Sequence, residues 1–355
     1  MIHLPLQVKT GNHKYPVTIK RGALSTVGER LADVAAGARV FVVTDQTVWS
    51  IYGKAVEASL NAAGVAFHVE PVPPGEQSKT SGVLFGLYSS MARQGFSRAD
   101  WVLTVGGGVV GDLGGMAAAT FLRGMRYAQV PTTLLSQVDS SIGGKVAVDI
   151  PEGKNLVGAF HQPMFVLIDP DSLDTLNDEQ YACGMAEVIK HAAIADEGLF
   201  RKLERFAGRE ALRRHLPDVI RENLVIKRDV VQRDEKDEGP RMMLNFGHTI
   251  GHALEQKAGF TGITHGEAVS RGMCHITRVS EALGLTESGT AERLAGLCLK
   301  FGLPVELPDA SREGLMEVIL RDKKVRGGAI TLVLLKQIGD HLLHTIRTEE
   351  LGRFL

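Results

Sequence analysis

The chain has 355 residues, enough for two domains at the usual ~100 to 200 residues each. Lys and Arg total 40 against 41 Asp and Glu, so there is no global basic field of the kind nucleic acid attracts, and any anion site must be local. Three cysteines, Cys183, Cys274 and Cys298, are odd in number and form no C-x-x-C, which argues against a disulfide framework and against a thiolate zinc site. The opening M-I-H-L-P-L-Q has no basic stretch followed by an apolar core and a cleavage site, so a reducing cytoplasm is the expected compartment.

Residues 4–9 and 15–20 read as a hairpin around Gly11-Asn12. Strands are then expected at 39–44, 66–72, 101–105 and 127–130, separated by helices near 46–63, 78–93 and 110–122. This alternation predicts an α/β domain, residues 1–175, with a mostly parallel sheet and helices on both faces. From Asn177 to about Asp322 the periodicity becomes helical and β-branched runs are few, so residues 176–355 are expected to form a second, mainly α-helical domain with a late strand or hairpin rung at 330–335.

Residues 102–122 form a long apolar run in which Asp112 is the only charge. Gly107, Gly111 and Gly115 even make a small-x-x-x-small ladder, so a membrane helix has to be weighed. The preferred reading is a buried strand ending in Gly106–Gly108 before a helix, which leaves free N–H groups pointed at an anion such as a pyrophosphate. Neither G-x-G-x-x-G nor G-x-x-x-x-G-K-[ST] is matched, and a tight structural turn is the plain alternative. Further on, D-S-S-I-G-G-K-V-A-V-D at 139–149 and G-K-N-L-V-G-A-F-H-Q-P at 153–163 each set a lysine beside glycine, where an ammonium can meet a phosphate or carboxylate. Arg123, Lys323 and Lys324 are weaker candidates of the same kind.

The densest chemistry lies in E-V-I-K-H at 187–191, N-F-G-H-T-I-G-H at 245–252 and H-G-E at 265–267. On a helix Glu187, Lys190 and His191 share one face, and so would Asn245, His248 and His252. H-x-x-x-H alone can be a polar stripe. Glu187 and His265 add a carboxylate and one further imidazole, and two His plus one carboxylate with an open position is a ligand set of catalytic zinc, so a divalent-metal site is the favoured reading.

These segments, together with P-T-T at 131–133, G-M-A-E-V-I-K-H, H-G-E-A-V and D-K-K, occur in the order and approximate spacing of 3-dehydroquinate synthases, and the chain resembles that family over nearly its whole length. The resemblance implies a dehydroquinate synthase-like fold with an NAD-binding first domain and a metal- and substrate-binding second one. It further implies a homodimer that uses NAD and zinc or cobalt in the shikimate pathway. The implied reaction converts 3-deoxy-D-arabino-heptulosonate 7-phosphate to 3-dehydroquinate and phosphate by transient oxidation, phosphate elimination, reduction and aldol closure. By resemblance the metal ligands would be Glu187, His248 and His265, with His252 beside them rather than among them. Substrate would meet Asp139, Lys145, Lys154, Asn155, Lys190, Arg241, Asn245, His252 and one or both of Lys323 and Lys324, with Arg123 reaching the phosphate across the dimer. Of these, Lys145, Lys190, Arg241, Asn245 and His252 would serve catalysis. NAD would meet Asp45, Glu76, Lys79, Gly107, Gly108, Asp112, Thr132 and Thr133, with Asp139, Lys145 and Lys154 nearby. Three alternatives remain open: another sugar-phosphate cyclase, a metal-dependent alcohol or glycerol dehydrogenase, and a non-catalytic NAD sensor.

Overall fold

A computed structural model describes residues 5–11, 13–237, 239–259, 262–308, 312–320 and 328–355. The chain parts into two compact units, residues 1–176 and 177–355.

In the first unit β1 (Leu6–Thr10) and β2 (His13–Ile19) form the expected antiparallel hairpin. There follow α1 (Val27–Val34), β3 (Val40–Asp45), α2 (Gln46–Ala62), β4 (Phe67–Val72), α3 (Ser81–Arg93), β5 (Trp101–Gly106), α4 (Gly108–Thr120) and β6 (Arg126–Pro131). The unit continues with β7 (Lys145–Ile150), β8 (Gly153–Phe160) and β9 (Val166–Ile168). Seven strands make one sheet in the order β1-β2-β9-β6-β5-β3-β4, parallel from β2 onward. Successive residues of β3 feed opposite cores, as the two-residue period of a strand requires. Phe41 and Val43 pack with Leu84, Leu113 and Tyr127, whereas Val40 and Val42 pack with Leu31, Val56 and Leu60. The apolar run of β3 and β5 is therefore that of strands buried on both faces.

The glycines of α4 serve close packing. A β-carbon on Gly114 would lie 2.4 Å from Cγ2 of Thr104, and one on Gly115 would lie 2.4 Å from Cγ1 of Val146. Side-chain-free positions let the helix sit directly on the strands, which accounts for the small-residue ladder without a membrane; among the described residues no helix is long and apolar enough to cross one. The ribbon of β7 and β8 was not expected from the sequence. Its exposed second strand lacks a clean apolar alternation, and it pairs in a separate two-stranded sheet.

The second unit contains α5 (Asp178–Ala195), α6 (Glu197–Glu204), α7 (Arg209–Leu212), α8 (Leu216–Arg233), α9 (His248–Lys257), α10 (His265–Ala282), α11 (Thr290–Lys300) and α12 (Arg312–Leu320). A hairpin of β10 (Ala329–Gln337) and β11 (Asp340–Arg347) stands where a late strand or hairpin rung was expected at 330–335. The α/β and mainly helical architectures are those the sequence implied. α5 starts at an Asn177 cap whose side chain accepts from Gln180 N–H, and from Tyr181 to Ile194 almost every side chain is buried.

One expectation fails. Asn245, His248 and His252 do not share a helix, because Pro240–Asn245 is a 3-10 turn and Gly247, at φ 76°, redirects the chain before α9 begins at His248. Gly247 also has no room for a side chain, since a β-carbon there would lie 2.7 Å from the Val269 carbonyl oxygen.

Candidate functional site

The second unit builds its site where α5, α9 and α10 converge, and the convergence depends on three close backbone approaches. A β-carbon on Gly266 would lie 2.4 Å from Cα of Cys183, one on Gly272 2.1 Å from the Gly247 oxygen, and one on Gly251 3.2 Å from the Ala268 carbonyl. The start of α10 is fixed by a reciprocal cap, in which Glu267 N–H donates to Thr264 Oγ1 and the Glu267 carboxylate accepts from Thr264 N–H at 2.8 Å. Gly266 N–H also donates to Cys183 Sγ at 3.2 Å. His265, the first residue of α10, is thereby brought to the middle of α5.

There Glu187, 1 % exposed, has its Oε1 3.6 Å from Nε2 of His248 and 3.5 Å from Nε2 of His265. One donor atom from each of the three lies within 4.8 Å of the others. An ion with zinc-like bonds of 2.0–2.1 Å in tetrahedral geometry needs ligand separations of roughly 3.3 Å, so these spacings fit a divalent cation. The ring tautomers agree. His248 Nδ1 lies 3.0 Å from the Phe246 carbonyl and His265 Nδ1 lies 3.4 Å from Oε2 of Glu255. Both partners accept hydrogen bonds, so the Nδ1 proton faces them and the Nε2 edge faces Glu187.

Charge around Glu187 follows the same logic. Burial alone would raise its pKa, but Lys190, which pairs with Oε2, and then His265 and His248 hold it well below the usual carboxylate range. Burial and then the Lys190 ammonium push His248 well below an ordinary imidazole. For His265 burial is outweighed by its contacts with Glu187 and Glu255, which lift it to about 10. His191, fully buried, binds Asn223 Oδ1 through Nδ1 at 2.9 Å and sits 3.8 Å from Glu187 through Nε2.

The pairing of His248 with His252 suggested by spacing alone is not what the fold makes at Glu187. The His252 ring lies beside the cluster, 5.1 Å centroid to centroid from His248 and 6.3 Å from His265. Arg241 is buried and donates to the Glu235 carbonyl at 2.7 Å, and Asn245 ends the 3-10 turn just before Gly247. Lys323 and Lys324 lie outside the described residues. Sequence reasoning missed Glu255, although its place one turn after His252 on a helix was available as a signal.

In the first unit the carboxyl ends of β3, β5 and β6 carry Asp45, Gly106–Gly108 and Thr132–Thr133. β3 is followed by β4 on one side and flanked by β5 on the other, so the chain reverses its direction of winding between β3 and β5. Such a switch point is where open parallel sheets bind ligands. Gly107 precedes α4 without a side-chain cap, and a β-carbon there or on Gly108 would come within 3.1 Å of Thr133 Cγ2 or Ser140 Oγ. Gly107 and Gly108 thus pack against the Thr133 and Ser140 side chains, and the first turn of α4 carries no side-chain cap, an arrangement that suits an anion. Asp45 Oδ1 caps α2 by accepting from Val48 N–H at 2.9 Å.

Close by, Lys79 is buried, pairs with Asp112 at 2.6 Å and donates to Asn155 Oδ1. Asp112 is raised from its ordinary pKa by burial, against the pull of Lys79. Lys154 reaches Glu76 at 3.9 Å. Asn155, at φ 57°, is pinned by its N–H on Asp149 Oδ1 at 2.7 Å; Asp149 was not anticipated. Lys145 is exposed at the start of β7, Asp139 is half-buried in the short π-helical turn Ser136–Ser140, and Arg123 is exposed at φ 68°.

This combination of sheet, helical unit and buried cluster has the fold of the sugar-phosphate cyclases. A crystal structure of 2-deoxy-scyllo-inosose synthase complexed with carbaglucose-6-phosphate, NAD+ and Co2+ aligns with TM-score 0.86 at 25 % identity, covering 99 % of this chain and 98 % of that one. A 2-epi-5-epi-valiolone synthase from Streptomyces hygroscopicus subsp. jinggangensis, with NAD+ and Zn2+ bound, aligns with TM-score 0.86 at 28 % identity over 98 % and 97 % of the two chains. Within that class residues 69–183 and 184–325 match the N-terminal and C-terminal models of 3-dehydroquinate synthase. A 3-dehydroquinate synthase from Enterococcus faecalis is 47 % identical over 352 residues, covering 99 % of this chain and 98 % of its own. The chain belongs to the 3-dehydroquinate synthase family.

Proposed function

We propose that this chain converts 3-deoxy-D-arabino-heptulosonate 7-phosphate to 3-dehydroquinate and phosphate. The observation that carries the reading is the end-to-end match to a 3-dehydroquinate synthase at 47 % identity. Glu187, His248 and His265 would hold one zinc or cobalt ion, and Asp45, Gly107, Gly108, Thr132 and Thr133 would hold NAD, with Glu76, Lys79 and Asp112 supporting it. When bound, the ion supplies Lewis acidity and the nicotinamide a reversible hydride acceptor.

The remaining work falls to the chain's own groups. Lys190 neutralises Glu187 and keeps an ammonium beside the cluster, where it can orient a substrate hydroxyl. Arg241, Asn245 and His252 are the side chains proposed to hold and reorient the carbon chain, His252 carrying a proton to or from it. Lys145, Lys154 and Asn155, with Asp139, are proposed to bind the substrate's anionic end, and Arg123 of a second copy to complete the phosphate contacts in a homodimer. The departing phosphate has a second pKa of about 6, so it can accept a proton itself near neutrality. Ring closure needs little beyond correct folding of the chain, since positioning contributes up to roughly 7–11 kcal/mol to such an intramolecular step. We assign the protein to the cytoplasm.

The test is phosphate release from the heptulosonate by purified protein, with and without chelator, while nicotinamide absorbance is followed. Phosphate without net NADH, abolished by the chelator, is expected. Turnover of glucose 6-phosphate or sedoheptulose 7-phosphate in its place would favour another cyclase. NADH accumulating with a simple polyol would favour a dehydrogenase.

A further inference from the structure

Glu255 is a buried carboxylate, 5 % exposed, on α9 one turn beyond His252. Its Oε2 lies 3.4 Å from Nδ1 of His265, while Nε2 of the same ring lies 3.5 Å from Glu187. His265 is thus gripped from both edges by acids on two different helices. An ionised carboxylate only accepts hydrogen bonds, so the contact with Glu255 keeps a proton on Nδ1. His248 is held differently, with a neutral carbonyl, that of Phe246, at its Nδ1. Carboxylates are costly to bury, and this one sits with an oxygen facing the Nδ1 edge of His265.

We propose that Glu255 is a positioning residue, whose carboxylate fixes the tautomer and tilt of His265 and makes its Nε2 a stronger metal ligand. The inference rests on the reading of Glu187, His248 and His265 as the metal ligands, and it concerns a residue outside that set. A competing use of the same atoms exists, because His252, Glu255 and His265 also offer donors within 4.8 Å of one another. A second ion there would require His265 to lose its Nδ1 proton and bridge two cations. The approach of Nε2 to Glu187 is already accounted for by the one-ion arrangement.

The test uses purified metal-free wild type, Glu255→Ala, Glu255→Gln and His248→Ala. Zn2+ is titrated against a chromophoric chelator, and Co2+ is followed by its visible absorption. Wild type is expected to bind one equivalent, and Glu255→Ala to bind it about 10- to 100-fold more weakly, the usual effect of losing an outer partner of a metal-bound imidazole. Glu255→Gln keeps an acceptor without the charge and should fall between the two; in both variants the Co2+ bands should shift, which a purely structural role would not produce. Should Glu255→Ala fail to fold, Glu255→Gln carries the test. Wild-type zinc affinity with an unchanged Co2+ spectrum in either folded Glu255 variant would overturn the proposal, as would two equivalents in wild type with one lost in Glu255→Ala. If His248→Ala retains zinc at wild-type affinity, the metal assignment itself falls. If His248→Ala loses zinc and the Glu255 variants do not, only the present inference falls.

Discussion

Replacing Gly272 by alanine tests whether the approach of α9 to α10 is what assembles the site. The added β-carbon would lie 2.1 Å from the Gly247 carbonyl oxygen and 3.1 Å from both Gly247 C and Gly251 N, all backbone atoms that have no rotamer to escape into. Carbon–oxygen contacts between packed helices settle near 3.3–3.6 Å, so the two helices must separate by about 1.2 Å at this point. Two terms oppose each other. Alanine in a helix gains roughly 0.8–1 kcal/mol over glycine from propensity, whereas overpacking a rigid contact costs about 1–3 kcal/mol. The backbone clash should win. Because α9 begins with His248 and α10 with His265, the same displacement moves two of the three cluster side chains apart. A misplacement of about 1 Å can cost on the order of 10²-fold in rate. We expect urea denaturation to give a net loss of up to about 2 kcal/mol, and phosphate release to fall far more than stability does. Gly296→Ala in α11 is the matched control: its β-carbon meets nothing within 4 Å, so it should gain stability by about 0.5–1 kcal/mol and leave turnover alone. Wild-type stability and turnover in Gly272→Ala, or equal damage from Gly296→Ala, would refute the reasoning.

Lys145→Ala should abolish phosphate release while the far-ultraviolet circular dichroism stays native, because the exposed ammonium at the start of β7 contributes to no core; near wild-type turnover would contradict its assignment. Asp100 accepts from Ser97 N–H at 2.8 Å, Arg39 N–H at 2.9 Å, Ser97 Oγ at 3.0 Å and Arg39 Nη2 at 3.1 Å, and these bonds outweigh burial to lower its pKa. A depressed carboxyl stabilises above its unfolded pKa and loses that stability as pH falls through the folded value. Asp100→Ala should therefore cost about 1–3 kcal/mol at neutrality, with the gap to wild type narrowing below about pH 4; a pH-independent gap would count against it. His161 stacks on Tyr127 and contacts the Met125 carbonyl at 2.8 Å, and burial lowers its pKa. The unfolded chain then binds the extra proton, so stability should decline as pH falls through about 6.5. His161→Gln should remove part of that slope, and an unchanged slope would show that the titration lies elsewhere.

The order of elements in the first unit was legible because β3 and β5 are continuous apolar runs between helices, and local periodicity survives whatever the chain later packs against. β7 and β8 were not, since β8 exposes Leu156, Val157 and Phe160 and so lacks the alternation that marks a half-buried strand. In the second unit the residue types of the cluster stood out in the sequence, but helical spacing alone joined His248 to His252. Residue chemistry already drew Glu187 and His265 into a metal site, but the choice of Glu187, His248 and His265 with His252 left out came from resemblance.

What the sequence determined by itself is therefore local: the strands and helices of the α/β unit, the side-chain-free strand end at Gly106–Gly108, and the chemical types available around residues 187, 248 and 265. Which imidazoles face the buried carboxylate was decided by tertiary structure. A positive φ at Gly247 breaks the helix that spacing implied, and glycine contacts at 266 and 272 draw α10 against α5 and α9. Such contacts join residues far apart along the chain through backbone shape, which no periodicity within a single segment encodes.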